Sequence, residues 1–234
     1  MKSLEAYKEG QVLLIDKPLH WTSFQVVNKL RWAIKQHYGI KNIKVGHAGT
    51  LDPLATGLLI LCTGKFTKKI ETYQAQHKEY TGTITLGATT PSYDLETDID
   101  QTYSINHITE ALIHATTKKF VGEIDQKPPI FSAIKKEGKR LYELAREGKT
   151  TEIKSRKITI SEFEITKIEL PNVEFRVACS KGTYIRSLAY DFGLALNSGS
   201  HLSALRRTKI GDFNVDNSVS VTEFLKDFGI VEEN

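Results

Sequence analysis

The sequence predicts one α+β domain spanning residues 1–234, built on a large mixed, mainly antiparallel sheet flanked by helices. Apolar segments of strand length recur along the whole chain, from Gly10–Pro18 to Leu205–Phe213. Helical patterns such as Thr22–Gly39 lie between them. The chain shows no internal repeat, low-complexity tract or linker, and 40% apolar with 26% charged residues is typical of a globular core.

The N-terminal elements are predicted from apolar spacing and stop signals. The run GQVLLIDKP ends at Pro18 and predicts a buried strand. Thr22 and Ser23 are candidate N-caps of a helix that Gly39 ends. A short helix near Thr67–Tyr73 precedes the strand KEYTGTITLG. The alternation of that strand places four residues on one face: Tyr80, Gly82, Ile84 and Leu86.

The second half of the chain contains longer strands and a basic segment. Residues Thr89–Gln101 are polar, acidic and contain proline, which predicts an exposed loop. The most basic stretch lies between Gln126 and Lys157. The remaining predicted elements are helices at Asn106–Phe120, Thr183–Leu196 and Ser220–Phe228, and strands at Lys157–Leu170, Val173–Ser180 and Leu205–Phe213.

Charge, cysteine placement and motif content limit the classes of function that this sequence can have. A net charge of +4 permits nucleic-acid binding without requiring it. Cys62 and Cys179 lie in apolar runs without CxxC spacing, which predicts buried free thiols in a reducing compartment. The N-terminus has no apolar signal region and no segment approaches membrane-span length, so we expect a cytoplasmic protein. Because no metal-ligand cluster, phosphate loop or dinucleotide fingerprint occurs, we expect neither metal nor cofactor.

The segment GHAGTLDPLATG, residues 46–57, is the most specific local pattern. Three glycines and a proline within it fix an irregular backbone between two strands. Its only carboxylate is Asp52, directly before an apolar strand, where partial desolvation would require a charged partner. The alternative is that Asp52 caps an Asp-Pro turn, which the spacing alone favours.

This segment, continued by LL and then GKFTK, resembles the signature of the TruB family of pseudouridine synthases. Phe66 departs from the pattern, in which a small residue is usual. Further resemblances span Gly10 to Phe213: LLIDKPLHWTSFQVV, KEYTG, QKPPIFSAIKKEGKRLYELAREG, CSKGTYIRSLAYDFG and LRRTKIGDF. The resemblance implies the pseudouridine synthase fold with a central active-site cleft. We expect no C-terminal PUA-like domain, because about twenty residues follow the matched segments.

The resemblance also implies catalytic roles for three residues. Asp52 matches the catalytic nucleophile, which either attacks the ribose or base or promotes elimination to a glycal, and the sequence leaves both open. Arg186 matches the arginine that pairs with this aspartate. Tyr80 matches the tyrosine that stacks on the flipped uracil and assists proton removal at C5. From the residues alone, Arg186 is equally interpretable as a helix-surface residue and Tyr80 as a core residue.

Substrate contacts follow from the same resemblance. His47 matches the residue that packs where the flipped nucleotide leaves its stack, and Lys68 matches a lysine near the site. Tyr184 and Leu205 match residues lining the base pocket. Residues 126–150 match a mobile RNA-gripping insertion, which implies contacts with the RNA backbone by Lys127, Lys135, Lys136, Lys139 and Arg140. The alternatives are that His47 is a turn residue, that Lys68 is a solvated lysine, and that the basic segment is a solvated face.

The function implied is isomerisation of uridine to pseudouridine at position 55, in the T-arm loop of tRNA. We expect the tRNA T arm to be the partner, and the protein to act as a monomer without membrane contact or an obligatory protein partner. Three alternatives stay open. They are a guide-RNA-dependent pseudouridine synthase, a non-catalytic tRNA-binding or tRNA-folding protein on the same scaffold, and an unrelated hydrolase using Asp52 with a second acid.

Overall fold

A computed structural model of the chain describes residues 2–132, 135–136, 139–140 and 153–230. The chain consists of two compact units, one formed by Met1–Tyr80 with Leu205–Asn234 and the other by Thr81–Ala204. Ten strands belong to one sheet in which most described pairs are antiparallel. This confirms the predicted fold class of a large mixed sheet with flanking helices.

The helices have the following bounds in the described residues: α1 (Leu4–Glu9), α2 (Ser23–Tyr38), α3 (Ile70–Ala75), α4 (Glu110–Thr117), α5 (Ile185–Ala195) and α6 (Val221–Lys226). The strands are β1 (Val12–Lys17), β2 (Val45–His47), β3 (Ala55–Thr63), β4 (Lys78–Leu86), β5 (Ala88–Thr89), β6 (Gln101–Thr102), β7 (Gly122–Gln126), β8 (Lys135–Lys136), β9 (Lys139–Arg140), β10 (Arg156–Glu169), β11 (Asn172–Cys179), β12 (Ser200–Ile210), β13 (Phe213–Asn214) and β14 (Val219–Ser220). None of these helices is long and apolar enough to cross a membrane.

In the first unit, β3 is the central strand. It pairs antiparallel with β1 and β2 and parallel with β12. Its side chains alternate between two hydrophobic clusters, with Leu59 and Leu61 in one and Leu58, Ile60 and Cys62 in the other. Burial of both faces explains why this strand is apolar without interruption.

Helix α2 begins and ends where the sequence predicts. The Thr22 hydroxyl accepts from the Gln25 N–H and the Gln25 side chain accepts from the Thr22 N–H, which forms a capping box. Gly39 ends the helix in the left-handed region, with φ of 60°. Helix α1 was not predicted, because Tyr7 is its only buried residue and six residues carry little periodic signal.

In the second unit, β10 pairs antiparallel with both β7 and β11. The buried face of β4 is as predicted, with Ile84 and Leu86 in the core. A Cβ at Gly82 would lie 2.4 Å from the carbonyl oxygen of Ala204, so this position requires glycine. Helix α4 is shorter than the predicted Asn106–Phe120. Both cysteines are free and buried, as predicted.

Two predictions in this unit were wrong. Strand β12 begins five residues before the predicted Leu205, because its first residues are polar but buried: Ser200 donates to Ala189 O at 2.6 Å. The loop Thr89–Gln101 is not exposed throughout, since Thr89, Thr90, Ser92 and Asp94 are buried. The Thr90 and Ser92 hydroxyls both donate to Asp94 O, at 2.6 and 3.0 Å, and these bonds permit burial of polar residues.

Candidate active site

The loop carrying Asp52 belongs to the first unit and is fixed by hydrogen bonds on both sides of the carboxylate. The Ser23 hydroxyl accepts from the Leu51 N–H at 2.8 Å and donates to Leu51 O at 3.1 Å. Ala55 N–H donates to Asp52 O at 3.1 Å. Because α2 holds Ser23 in its first turn, helix and loop are joined directly before Asp52. The carboxylate itself is half-buried.

Arg207 clamps the same loop from β12. Its side chain is fully buried, and its guanidinium donates to three carbonyl oxygens: Leu58 at 2.8 Å, Gly49 at 3.0 Å and Thr50 at 3.5 Å. These acceptors lie before and after Asp52 in the chain. At Gly57, where φ is 102°, a Cβ would lie 2.3 Å from Arg207 O, so only glycine allows this approach.

Lys17 is a second buried cation beside the loop. Its ammonium donates to Trp21 O at 2.6 Å, Pro18 O at 2.9 Å and Pro53 O at 3.5 Å. Burial lowers the pKa of Lys17 to about 8, although the Asp52 carboxylate opposes this shift and Arg207 adds to it. The Asp52 carboxylate therefore favours the charged form of Lys17. Sequence reasoning assigned neither residue a role, because a charged residue in a strand gives no sign of burial.

We expect Arg207→Lys to lower both stability and the rate of the chemical step. An ammonium cannot reach three separated carbonyls, and each buried acceptor left without a donor costs about 1–3 kcal/mol. Thermal unfolding and single-turnover kinetics measure the two effects. The matched control is Arg206→Lys, since Arg206 is 40% exposed and pairs with Asp16 at 2.6 Å. That exposed pair should contribute under about 1 kcal/mol. Equal effects of the two substitutions would contradict the clamp.

Four other predicted residues also lie in the first unit. His47 lies in β2. Burial, and to a smaller extent the charge of Arg207, lower the pKa of His47, while a hydrogen bond with the Gly49 backbone raises it. The net shift favours the neutral imidazole. Tyr80 is 8% exposed, and Leu205 is in register with Ala55, three residues after Asp52. Lys68 is exposed in the 3-10 turn 64–69.

Arg186 lies in the second unit, at the start of α5, and is 4% exposed. Its interpretation as a surface residue is therefore wrong. The guanidinium donates to Phe131 O at 2.8 Å and Ser92 O at 3.2 Å, and it lies 3.5 Å from an Asp94 carboxylate oxygen. Asp94 was missed, because it falls in the loop predicted to be exposed. A buried arginine held by a buried carboxylate has a fixed orientation.

Tyr184 directly precedes α5 and is held through its backbone. Gln126 accepts from the Tyr184 N–H at 2.8 Å and donates to Tyr184 O at 3.0 Å, and Arg156 lies over the Tyr184 ring at 4.5 Å. Lys127 is exposed, and its carbonyl oxygen accepts from Ser187 at 2.8 Å. The start of α5 thus presents Tyr184 and Arg186 from one fixed segment.

The remaining predicted RNA contacts fall largely outside the described residues. The backbone pairs β8 with β9 antiparallel, but the side chains of Lys135, Lys136, Lys139 and Arg140 are outside the description, as are residues 141–152. Within the described ranges, no group of three His, Cys, Asp or Glu side chains is placed to hold a metal ion.

Comparisons with known proteins identify the class. The family "TruB family pseudouridylate synthase (N terminal domain)" matches residues 35–185, and "tRNA pseudouridylate synthase B C-terminal domain" matches residues 186–234. The chain is a pseudouridine synthase. It belongs to the TruB family.

Curated relatives agree. A protein of Flavobacterium johnsoniae named "tRNA pseudouridine synthase B" is 70% identical over 94% of this chain and 96% of its own length. One of the same name from Phocaeicola vulgatus is 56% identical over 93% of each chain.

Among solved structures, a chain of "Crystal Structure of a Cbf5-Nop10-Gar1 Complex" is 32% identical with a TM-score of 0.69, covering 96% of this chain and 57% of that one. A chain of "Structure of H/ACA RNP bound to a substrate RNA containing 2'-deoxyuridine" is 29% identical with a TM-score of 0.68, covering 99% and 59%. The present chain thus spans little more than half the length of these two structures.

Proposed function

We propose that this protein isomerises uridine to pseudouridine at position 55, in the T-arm loop of tRNA. The observation that carries the proposal is the Asp52 loop, clamped by two buried cations in a chain 70% identical to a tRNA pseudouridine synthase B. The whole chain, residues 1–234, acts as one catalytic domain with an RNA-gripping insertion at about 126–150, as a monomer in the cytoplasm.

The proposed chemistry uses the ionised Asp52 carboxylate. The bond between C1′ and N1 of uracil breaks, the base turns, and a bond between C1′ and C5 forms. The C5 proton then leaves and N1 gains a proton, so the product is an isomer of the substrate. Asp52 either attacks covalently or promotes elimination to a glycal, and both routes require a carboxylate that is ionised yet poorly hydrated. The electrostatic interaction of Lys17 with the Asp52 carboxylate supports this proposal.

The other roles are assigned by resemblance to the family. Arg186, oriented by Asp94, is the arginine that pairs with the carboxylate during reaction. Tyr80 stacks on the flipped uracil and assists proton removal at C5, and Tyr184 with Leu205 lines the base pocket. These contacts offset the few kcal/mol that unstacking a base costs. His47 packs against the nucleotide as it leaves its stack.

Basic side chains are proposed to bind RNA phosphates around this chemistry. They are Lys68, Lys127, Lys135, Lys136, Lys139 and Arg140. A salt titration of RNA affinity measures their contribution, because replacing one phosphate-binding side chain by alanine lowers the slope of log affinity against log salt by under about one unit.

The sequence identities to known relatives favour a synthase that acts on tRNA over one that depends on a guide RNA. The similar solved chains, one from a Cbf5-Nop10-Gar1 complex and one from an H/ACA RNP, are 32% and 29% identical. The proteins named tRNA pseudouridine synthase B are 56–70% identical over nearly the whole chain. The half-buried Asp52 and the buried Arg186 give no support to a non-catalytic RNA-binding protein.

An isolated T-arm stem-loop tests the proposal. We expect the purified protein alone to modify it with kcat/KM within about tenfold of full tRNA, a difference of roughly 1.4 kcal/mol. The expected contacts are confined to the target uridine, its loop neighbours and the stem phosphates. Steady-state kinetics on the two substrates measures the ratio, and a stem-loop lacking the target uridine is the control. Activity that requires an added guide RNA and proteins would contradict the proposal.

A further inference from the structure

His20 adopts a backbone conformation that favours glycine. Its φ is 65°, in the left-handed region, and its N–H donates to Pro53 O at 2.8 Å, directly after Asp52. The side chain is exposed, and none of the described residues forms a side-chain hydrogen bond or ring contact with it. A side chain here lowers stability relative to glycine. Among the described residues, no hydrogen bond or ring contact of the His20 side chain offsets that cost, so the imidazole is available to a ligand.

Phe24, four residues after His20 in the chain, is also exposed. It lies in the first turn of α2 and is 62% exposed, the largest value among the exposed large apolar side chains of the described residues. The adjacent Ser23 holds the Asp52 loop through Leu51. Helix α2 packs on the core through other residues, including Val27 and Leu30, so Phe24 is not needed for packing. Residues 19–24 are therefore joined to the Asp52 loop at two points, and this segment carries the exposed rings of His20 and Phe24.

The charge of the surrounding sequence identifies the kind of partner. Between residues 17 and 69, Asp52 is the only carboxylate. Besides the buried Lys17, the same range contains eight basic residues: Lys29, Arg31, Lys35, Lys41, Lys44, Lys65, Lys68 and Lys69. Such an excess attracts a polyanion. Exposed aromatic rings on a basic surface are the combination by which proteins stack unpaired nucleobases, because every base has a π-face while phosphates supply the charge.

We propose that His20 and Phe24 form a stacking surface for an unpaired nucleobase of the substrate RNA, next to the uridine on which Asp52 acts. This proposal rests on the function proposed above and adds specificity-determining residues to it. The base stacks on the exposed rings and the stem phosphates face the lysines. Because the Pro53 carbonyl holds the His20 backbone, the stacked base is fixed relative to the Asp52 loop.

Stem-loop binding by three variants tests the surface. Phe24→Ala should weaken affinity for a T-arm stem-loop by about tenfold, and Phe24→Leu should weaken it comparably, because stacking requires the ring. His20→Gly should weaken it by about fivefold, with no fall in the unfolding midpoint, because glycine relieves the strained backbone. The control is Trp32→Ala, another exposed aromatic of α2 at 43%, about 12 Å further along the helix, which should change affinity by less than about twofold.

A fluorescent base locates the contact. Stem-loops carrying 2-aminopurine at one unpaired position at a time should show quenching at one position with wild type, and that quenching should disappear with Phe24→Ala. Affinities within twofold of wild type for both Phe24→Ala and His20→Gly, or quenching that survives them, would overturn the proposal. Wild-type protein that binds and quenches without forming pseudouridine would instead refute the proposed function and leave the stacking surface supported.

Discussion

Asp52→Asn should abolish pseudouridine formation while changing tRNA affinity by no more than a few-fold. The amide keeps the shape of the side chain but provides neither a nucleophile nor a base. The loop backbone is held by hydrogen bonds from Arg207 and Ser23, so the fold and the RNA-binding surface should persist. Single-turnover kinetics with excess enzyme separates chemistry from binding.

The matched control for Asp52 is Asp16→Asn. Asp16 is a carboxylate of the same unit and its side chain is 33% exposed in a pair with Arg206. Such pairs contribute little, so this variant should retain nearly wild-type rates. If Asp52→Asn retains even a tenth of the wild-type single-turnover rate, Asp52 is not the catalytic carboxylate.

Arg186→Lys should be severely impaired in rate and little changed in tRNA affinity. The guanidinium reaches Phe131 O, Ser92 O and the Asp94 carboxylate at once. A lysine ammonium cannot reproduce this planar array of donors. The variant would therefore keep a positive charge at position 186 but not hold it in a fixed orientation. Measured as kcat/KM, a loss of about a hundredfold or more corresponds to at least ~2.7 kcal/mol of transition-state stabilisation.

Two further variants test whether the effect of Arg186→Lys comes from the lost orientation of the guanidinium. Asp94→Asn keeps the shape beside Arg186 and removes one charge, so its rate should fall between those of wild type and Arg186→Lys. Arg176→Lys is the control, because Arg176 is 32% exposed and pairs with Glu162 and Glu164 of the neighbouring strand β10. It should behave as wild type. Normal kinetics in Arg186→Lys would mean that this arginine supports only the fold.

The parts of the fold that sequence predicted are those with strong local signals. Helix α2 has a capping box and a left-handed glycine at its ends, and β3 is apolar throughout. Sequence-based prediction failed where polar residues are buried and form tertiary hydrogen bonds. The start of β12 and the loop around Asp94 contain serines and threonines whose hydroxyls donate to carbonyls, and composition cannot distinguish these from solvated residues.

Within the candidate site, the sequence singled out Asp52 but not the residues that hold its loop. Asp52 lies in a pattern of glycines and proline that specifies a loop. Arg207 is far from it in the chain, beside an arginine of similar sequence context that lies in a more exposed ion pair. Only the register of β12 against β3 determines which of the two arginines is buried. Long-range pairing of this kind is not encoded in local periodicity.

Mapping pseudouridine at every position of a tRNA transcript tests the central claim most directly. The transcript is incubated with the purified protein alone, without guide RNA, metal or cofactor, and Asp52→Asn serves as the blank. We predict complete conversion of one uridine, position 55 in the T-arm loop, with the wild type and none with the variant. A transcript left unmodified by the wild type, or one modified outside the T arm, would contradict the account.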